Sequence, residues 1–162
     1  MIDFQDLYKT YATDVYRFAY WLCGDAVDAE DITSETFLRV WNHREKIRTE
    51  TMKAYLLSIA RNLYLERLRK HKLHIELSDA MPDPGAGPEK RTEDRDHLVR
   101  IQKALQQINE VDRAAFILRV QHELPYAEIA RVLQLSLSAV KVKVHRVRLK
   151  LTGVVANEEA YS

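Results

Sequence analysis

The residues that interrupt helices are nearly confined to one short stretch of this chain. Only 4 of its 162 residues are proline and 4 are glycine. Three of the prolines (Pro82, Pro84, Pro88) and two of the glycines (Gly85, Gly87) fall between Asp79 and Lys90. Proline lacks a backbone donor and clashes with the preceding turn, so this stretch cannot lie inside a helix. It also has little to bury and reads as an extended, flexible linker. No strand-like alternation persists on either side. The expected fold is therefore all-α: two small helical domains joined by a flexible linker, with a helix-turn-helix in the second. The expected boundaries are a first domain over 1–75, a linker over 76–93, a second domain over 94–152 and a tail over 153–162.

Apolar spacing sets out the helices. Leu7, Tyr11, Val15, Phe18 and Leu22 recur at intervals of 4, 4, 3 and 4, one face of a helix. Gly24 ends it, and Asp25 can cap the next helix by accepting from its free N–H groups. There Val27, Ile32, Thr36, Phe37, Val40 and Trp41 form a mainly apolar side, with Asp28, Asp31, Glu35 and Arg39 on another. A third helix is expected from about Thr51 to His71, with the stripe Leu56, Ile59, Leu63 and Leu68. Beyond the linker, Leu98, Ile101, Leu105 and Ile108 follow helical spacing, and a second helix covers roughly Val111 to His122. Pro125 suits the first turn of a short helix, Tyr126 to Leu133. Ser136 can cap a last helix that runs to about Leu151.

The formal net charge of +1 conceals strong segregation. Residues 1–42 hold 3 basic and 8 acidic residues, whereas residues 43–75 hold 9 and 3. Residues 76–97 are acidic again, and residues 136–151 hold 5 basic and no acidic residue. Two separate basic blocks on a near-neutral chain point to two local contacts with a polyanion.

Residues 125–151 carry the sharper of these signals. A short helix, a tight turn and a longer helix make a helix-turn-helix. Ile129, Leu133, Leu135, Val140 and Val144 fill the wedge between the two helices, and Ala130 allows their close approach. In the last helix Leu137, Val140, Val144, Val147 and Leu151 form the inward stripe. Ser138, Lys141, His145 and Arg148 step along another face, flanked by Lys143, Arg146 and Lys150. A positively charged outer face on a buried rear stripe is what a major-groove recognition helix needs. Gln134 stands at the turn where glycine is usual, at a cost of roughly 1–2 kcal/mol if its backbone is left-handed.

The first basic block mixes cations with aromatic rings: Lys53, Tyr55, Arg61, Asn62, Tyr64, Arg67 and Arg69. Stacking surfaces among cations suit unpaired bases, although tyrosines on helices more often serve the core. Cys23 is the single cysteine and sits in an apolar run, so it is expected to be a buried small hydrophobe. The six histidines are scattered, and no metal or cofactor is expected. No phosphate loop or nucleophile–base pair occurs, which argues against an enzyme. No run reaches the roughly 18 apolar residues of a membrane span, and the start lacks a signal peptide. A cytoplasmic location without membrane insertion is expected.

Three segments carry a family resemblance. Asp28 to Trp41 (DAEDITSETFLRVW) resembles the polymerase-binding helix of extracytoplasmic-function sigma factors of the sigma-70 family. Ala54 to Arg69 (AYLLSIARNLYLERLR) resembles their helix that melts and reads the minus-ten element. Leu105 to Leu151 resembles their minus-thirty-five-binding domain, including Glu128-Ile-Ala130 and the segment Val140 to Arg146 (VKVKVHR). The resemblance implies a subunit that directs core RNA polymerase to particular promoters. It places Asp28, Asp31, Glu35, Phe37 and Arg39 in or near the polymerase-binding surface. Lys53, Tyr55, Arg61, Asn62, Arg67 and Arg69 fall at the minus-ten DNA, with the loop from about His43 to Met52 receiving a flipped base. Ser138, Lys141, Lys143, His145, Arg146 and Arg148 fall at duplex minus-thirty-five DNA. It also implies an anti-sigma factor as partner. Little sequence follows Leu151, so no C-terminal regulatory module is expected. Glu66, Gln134, Val142 and Lys143 depart from common family residues, which puts the promoter preference in doubt. A conventional dimeric helix-turn-helix regulator would explain residues 105–151 but not the first 75.

Overall fold

A computed structural model describes residues 3–43, 52–78 and 93–160. Seven helices occur among them: α1 (Phe4–Cys23), α2 (Ala26–Asn42), α3 (Met52–Ser78), α4 (Glu93–Gln106), α5 (Glu110–Val120), α6 (Tyr126–Leu133) and α7 (Leu137–Ala160). The described residues include no strand. Apart from its ends, the segment read as a linker lies outside the described residues, as does most of the loop between His43 and Met52.

The helix ends follow from local chemistry. Asp3 caps α1 by accepting from the Gln5 N–H, and Asp25 caps α2 by accepting from the Asp28 N–H. Gly24 closes α1 in the left-handed conformation, φ 77°, its N–H donating to the Tyr20 carbonyl. Asn109 caps α5 and Ser136 caps α7 in the same manner. Two helices outrun their expected ends. α3 continues past His71 to Ser78 because no breaker intervenes before Pro82. α7 continues past Leu151 to Ala160, passing through Gly153. No atom lies near that glycine's missing Cβ, and a helical glycine costs only about 1 kcal/mol.

The predicted stripes are mostly buried, with exceptions on several helices. Leu7, Val15, Phe18 and Leu22 of α1 are buried, as are Ile32, Thr36, Phe37 and Val40 of α2. Thr33 and Thr36 satisfy their hydroxyls on the carbonyls of Ala29 and Ile32. Val27, Leu68, Leu98 and Leu137, read as core from their spacing, are instead exposed, Val27 at 66%. Val27 and Leu137 lie in the first turns of α2 and α7, whereas Leu68 and Leu98 are exposed well inside α3 and α4. Trp41 is likewise half-exposed and leans edge-on against Phe4. Cys23 is half-buried, with its thiol donating to the Asp25 carbonyl.

The two halves do not hang separately on the linker. α1, α2 and α3 pack on one another, as do α4 to α7, and α1 also packs on α4 and α5 while α3 packs on α6. One continuous apolar core runs from Leu7, Phe18 and Leu63 to Leu118, Ile129 and Val144. Within the contact, the ring of His122 stands edge-on to Phe18 at 5.8 Å, and Lys53 Nζ donates to the His122 carbonyl at 3.1 Å.

Two tests follow. Gln134 closes α6 with φ 56° and ψ 48°, the left-handed region that disfavours a side chain. Gln134→Gly should add roughly 0.5–1 kcal/mol of stability after glycine's own entropy cost, raising the melting temperature by a few degrees. His122 has a pKa lowered to about 4, chiefly by burial; Lys53 and Arg17 also lower it and Asp14 opposes them. Its imidazole is therefore neutral in the folded chain, whereas the unfolded chain binds that proton from about pH 6.5. Between pH 6.5 and 4 the unfolded state holds more protons, so stability is full above this window and falls as pH drops through it. The loss by pH 4 is on the order of 3 kcal/mol. Denaturant unfolding at pH 7.5 and 4.5 should show a smaller acid loss for His122→Leu than for the natural chain.

Candidate nucleic-acid interface

α2 offers a solvent-facing acidic side. Asp28, Asp31, Glu35 and Arg39 are all exposed, because Ala29, Ile32, Thr33 and Thr36 turn inward between them. Phe37, expected near this surface, is instead a core residue. Its ring meets Tyr8 at 4.9 Å and Phe4 at 6.3 Å, so it supports the helix and cannot make an external contact.

α3 divides the minus-ten candidates among three environments. Tyr55, Asn62 and Arg69 are seven residues apart, two helical turns each, and so line one side of α3. Tyr55 is half-buried, and Asn62 and Arg69 are exposed. Arg67 does not join them. Its guanidinium lies 3.6 Å from Asp28 and 3.9 Å from Asp31, on the acidic side of α2. Glu66 of α3 likewise pairs with Arg39 at 3.1 Å.

Lys53 and Arg61 face the second half of the chain. Arg61 Nε and Nη2 donate to the two carboxylate oxygens of Glu110 at 2.6 and 2.8 Å, with side chains only 12% and 15% exposed. Two parallel charge-assisted bonds make this the strong form of an ion pair. Glu110 opens α5, where the helix dipole also favours a carboxylate. A cation read as a DNA ligand thus already holds an anion from its own chain.

Residues outside the predicted set complete this contact. α1 ends without a basic residue in its last turn, leaving its final carbonyls in need of donors. The second half supplies them. Arg113 Nε donates to the Leu22 carbonyl at 3.0 Å, Gln106 Nε2 to Trp21 and Leu22, and Gln102 Nε2 to Tyr20. Arg113 is itself buried. It also donates to the carbonyls of Ile108 and Leu105 and to the Tyr64 hydroxyl at 2.8 Å. Burial pushes the Tyr64 phenol up, partly opposed by that guanidinium, so Tyr64 is an internal strut and not a stacking surface. A lone arginine in a helical pattern carries no sequence mark of such a role.

α7 presents the other basic surface. Ser138, Lys141, His145 and Arg148 are exposed along one side, with Val140, Val144 and Val147 fully buried behind them. Lys141 Nζ lies 5.7 Å from the Tyr126 ring, which Arg119 also covers at 4.1 Å. Lys143 and Arg146 differ from these four: both are tied to Asp112 of α5, at 2.9 and 3.2 Å. No helix among the described residues is long and apolar enough to cross a membrane.

Two family models match the chain. The family model of sigma-70 region 2 matches residues 7–74, and that of sigma-70 region 4 matches residues 98–151. The ECF RNA polymerase sigma factor SigM of Bacillus subtilis is 29% identical, over 92% of this chain and 93% of SigM. The ferric citrate uptake sigma factor FecI of Escherichia coli is 31% identical, over 86% of this chain and 83% of FecI. The ECF sigma factor SigE of Mycolicibacterium smegmatis is 32% identical over 99% of this chain, which spans 64% of SigE. In structure, the chain resembles the sigma factor RpoE of Bartonella quintana, solved in complex with the anti-sigma factor NepR. The TM-score is 0.84 over 95% of this chain and 97% of that one, at 22% identity, a likeness of fold.

Proposed function

This chain belongs to the extracytoplasmic-function RNA polymerase sigma factors of the sigma-70 family, and we propose that it is a promoter reader whose two halves must part before it can act. The first half, 1–75, engages core polymerase through Asp28, Asp31, Glu35 and Arg39. The second, 94–152, reads duplex minus-thirty-five DNA through Ser138, Lys141, His145 and Arg148, with Lys143 and Arg146 beside them. Tyr55, Asn62 and Arg69 receive the separated minus-ten strand, joined by Lys53 and Arg61 once those are released. The linker, 76–93, lets the halves span the promoter. The protein works in the cytoplasm and makes or breaks no covalent bond. Binding energy for unpaired bases drives melting, and polymerase performs the chemistry.

The observation that carries this reading is the division of charge. The acidic face of α2 and the basic face of α7 stand open, while Arg61 and Lys53 are covered by the chain's own second half. Polymerase can therefore meet α2 while the halves are still closed, and opening then frees the minus-ten residues. An anti-sigma partner that stabilises the closed contact would shift the population away from DNA binding. RpoE in its complex with NepR has a similar fold, which supports this mode of control.

Runoff transcription with purified core polymerase on a genomic fragment library tests the proposal. New discrete transcripts sharing a bipartite upstream motif should appear only when the protein is present; their absence would overturn it. Replacing Asp31 and Glu35 with lysine should weaken polymerase binding roughly tenfold or more while leaving thermal stability nearly unchanged. Glu110→Ala strands the Arg61 charge at a cost on the order of 3 kcal/mol. Small-angle scattering should then show a more expanded chain, with tighter binding of the free protein to single-stranded DNA.

A further inference from the structure

The first turn of α5 carries two carboxylates with different partners. Glu110 reaches Arg61 across the contact between the halves, whereas Asp112 serves its own half. Asp112 is fully buried, its side chain 1% exposed, and its two oxygens accept from Lys143 Nζ at 2.9 Å and Arg146 Nη1 at 3.2 Å. Burial alone would push its carboxyl up. The hydrogen bond and charge of Lys143, with Asn109 and Arg146, outweigh this and hold it below the usual carboxylate range. One anion therefore sits behind two cations spaced i, i+3 on α7. Lys143 is drawn inward, 23% exposed, while half of the Arg146 side chain remains open to solvent.

This arrangement differs in kind from that of Lys141, His145 and Arg148, which are exposed, whereas the ion pairs of Asp112 are with Lys143 and Arg146. A free cation on a recognition helix attracts any phosphate, a contact that carries no sequence information. A guanidinium held at one nitrogen has lost most of its rotamer freedom and presents its remaining edge in a set direction, as planar recognition of a base or phosphate requires. We infer that Asp112 is a positioning residue for promoter discrimination: it cancels one of the two charges of Lys143 and Arg146 and fixes the direction of both. It exchanges indiscriminate attraction to phosphate for a preset geometry. Being buried, it touches no DNA itself. The inference rests on the reading of α7 as the duplex-binding helix.

A purely architectural staple between α5 and α7 is the competing account. That packing is already supplied by Leu118, Val140, Val144 and Val147, all buried, so the isosteric Asp112→Asn should still fold. The experiment uses the full chain with core polymerase, natural and Asp112→Asn. Each holoenzyme is equilibrated with a promoter duplex pool randomised across the upstream element, and separately with a synthetic alternating copolymer duplex, over a series of KCl concentrations. The inference expects Asp112→Asn to bind the copolymer more tightly, with a salt slope steeper by about one. Enrichment of the preferred upstream sequence should fall roughly tenfold.

Asp112→Asn combined with Lys143→Gln restores the net charge of the cluster. Its slope should return to the natural value while enrichment stays low, which separates geometry from charge. Unchanged slope and enrichment in Asp112→Asn would overturn the inference. So would a parallel fall in binding to pool and copolymer accompanied by lost thermal stability, the mark of a staple. A natural holoenzyme that enriches no upstream sequence would remove the duplex-reading function itself, a failure seen before any variant is compared.

Discussion

The buried guanidinium of Arg113 is where the two halves of this protein become one object. An arginine in an apolar interior is tolerated only when its donors are all but satisfied. Here they are, by the Leu22, Ile108 and Leu105 carbonyls and the Tyr64 hydroxyl. In return it closes the end of α1, a helix that carries no basic residue in its last turn. Each side therefore completes a polar deficit of the other. The surrounding contacts, Gln102 and Gln106 on the same helix end and Arg61 on Glu110, extend this exchange around the apolar seam of Phe18, Leu22 and Leu118. Without it, a linker poor in apolar residues would leave the halves free to drift.

The individual helices were largely legible in the sequence. Four of the seven described helices begin or end at a cap or breaker read in the sequence: Gly24, Asp25, Pro125 and Ser136. The turn at Gln134, where glycine is usual, does adopt the left-handed backbone. Four positions of the stripes were misread. Val27, Leu68, Leu98 and Leu137 keep the helical period of the core, but period alone does not say whether another helix covers a given position.

The candidate site was legible by surface and not by partner. Spacing alone identified the acidic side of α2 and the outer side of α7, since alternating faces of an amphipathic helix are a one-dimensional property. Arg67, Arg61, Lys143 and Arg146 could not be sorted that way. Whether a cation faces solvent or an anion depends on residues up to 49 positions distant. Phe37 shows the same limit from the apolar side: it matches a motif of an interface helix, yet Phe4 and Tyr8 claim it for the interior.

The contacts that join the halves have a temporal consequence. Arg61 meets Glu110 across 49 residues, and Leu22 meets Arg113 across 91. Arg61 and the end of α1 therefore emerge from the ribosome before Glu110 and Arg113, the residues that cover them. At roughly 5–20 residues per second that interval lasts several seconds, far longer than helices need to form and pack. Every newly made molecule thus passes once through a form with Arg61 and the end of α1 uncovered. In that interval a competing ligand for this face meets no opposition from the rest of the chain.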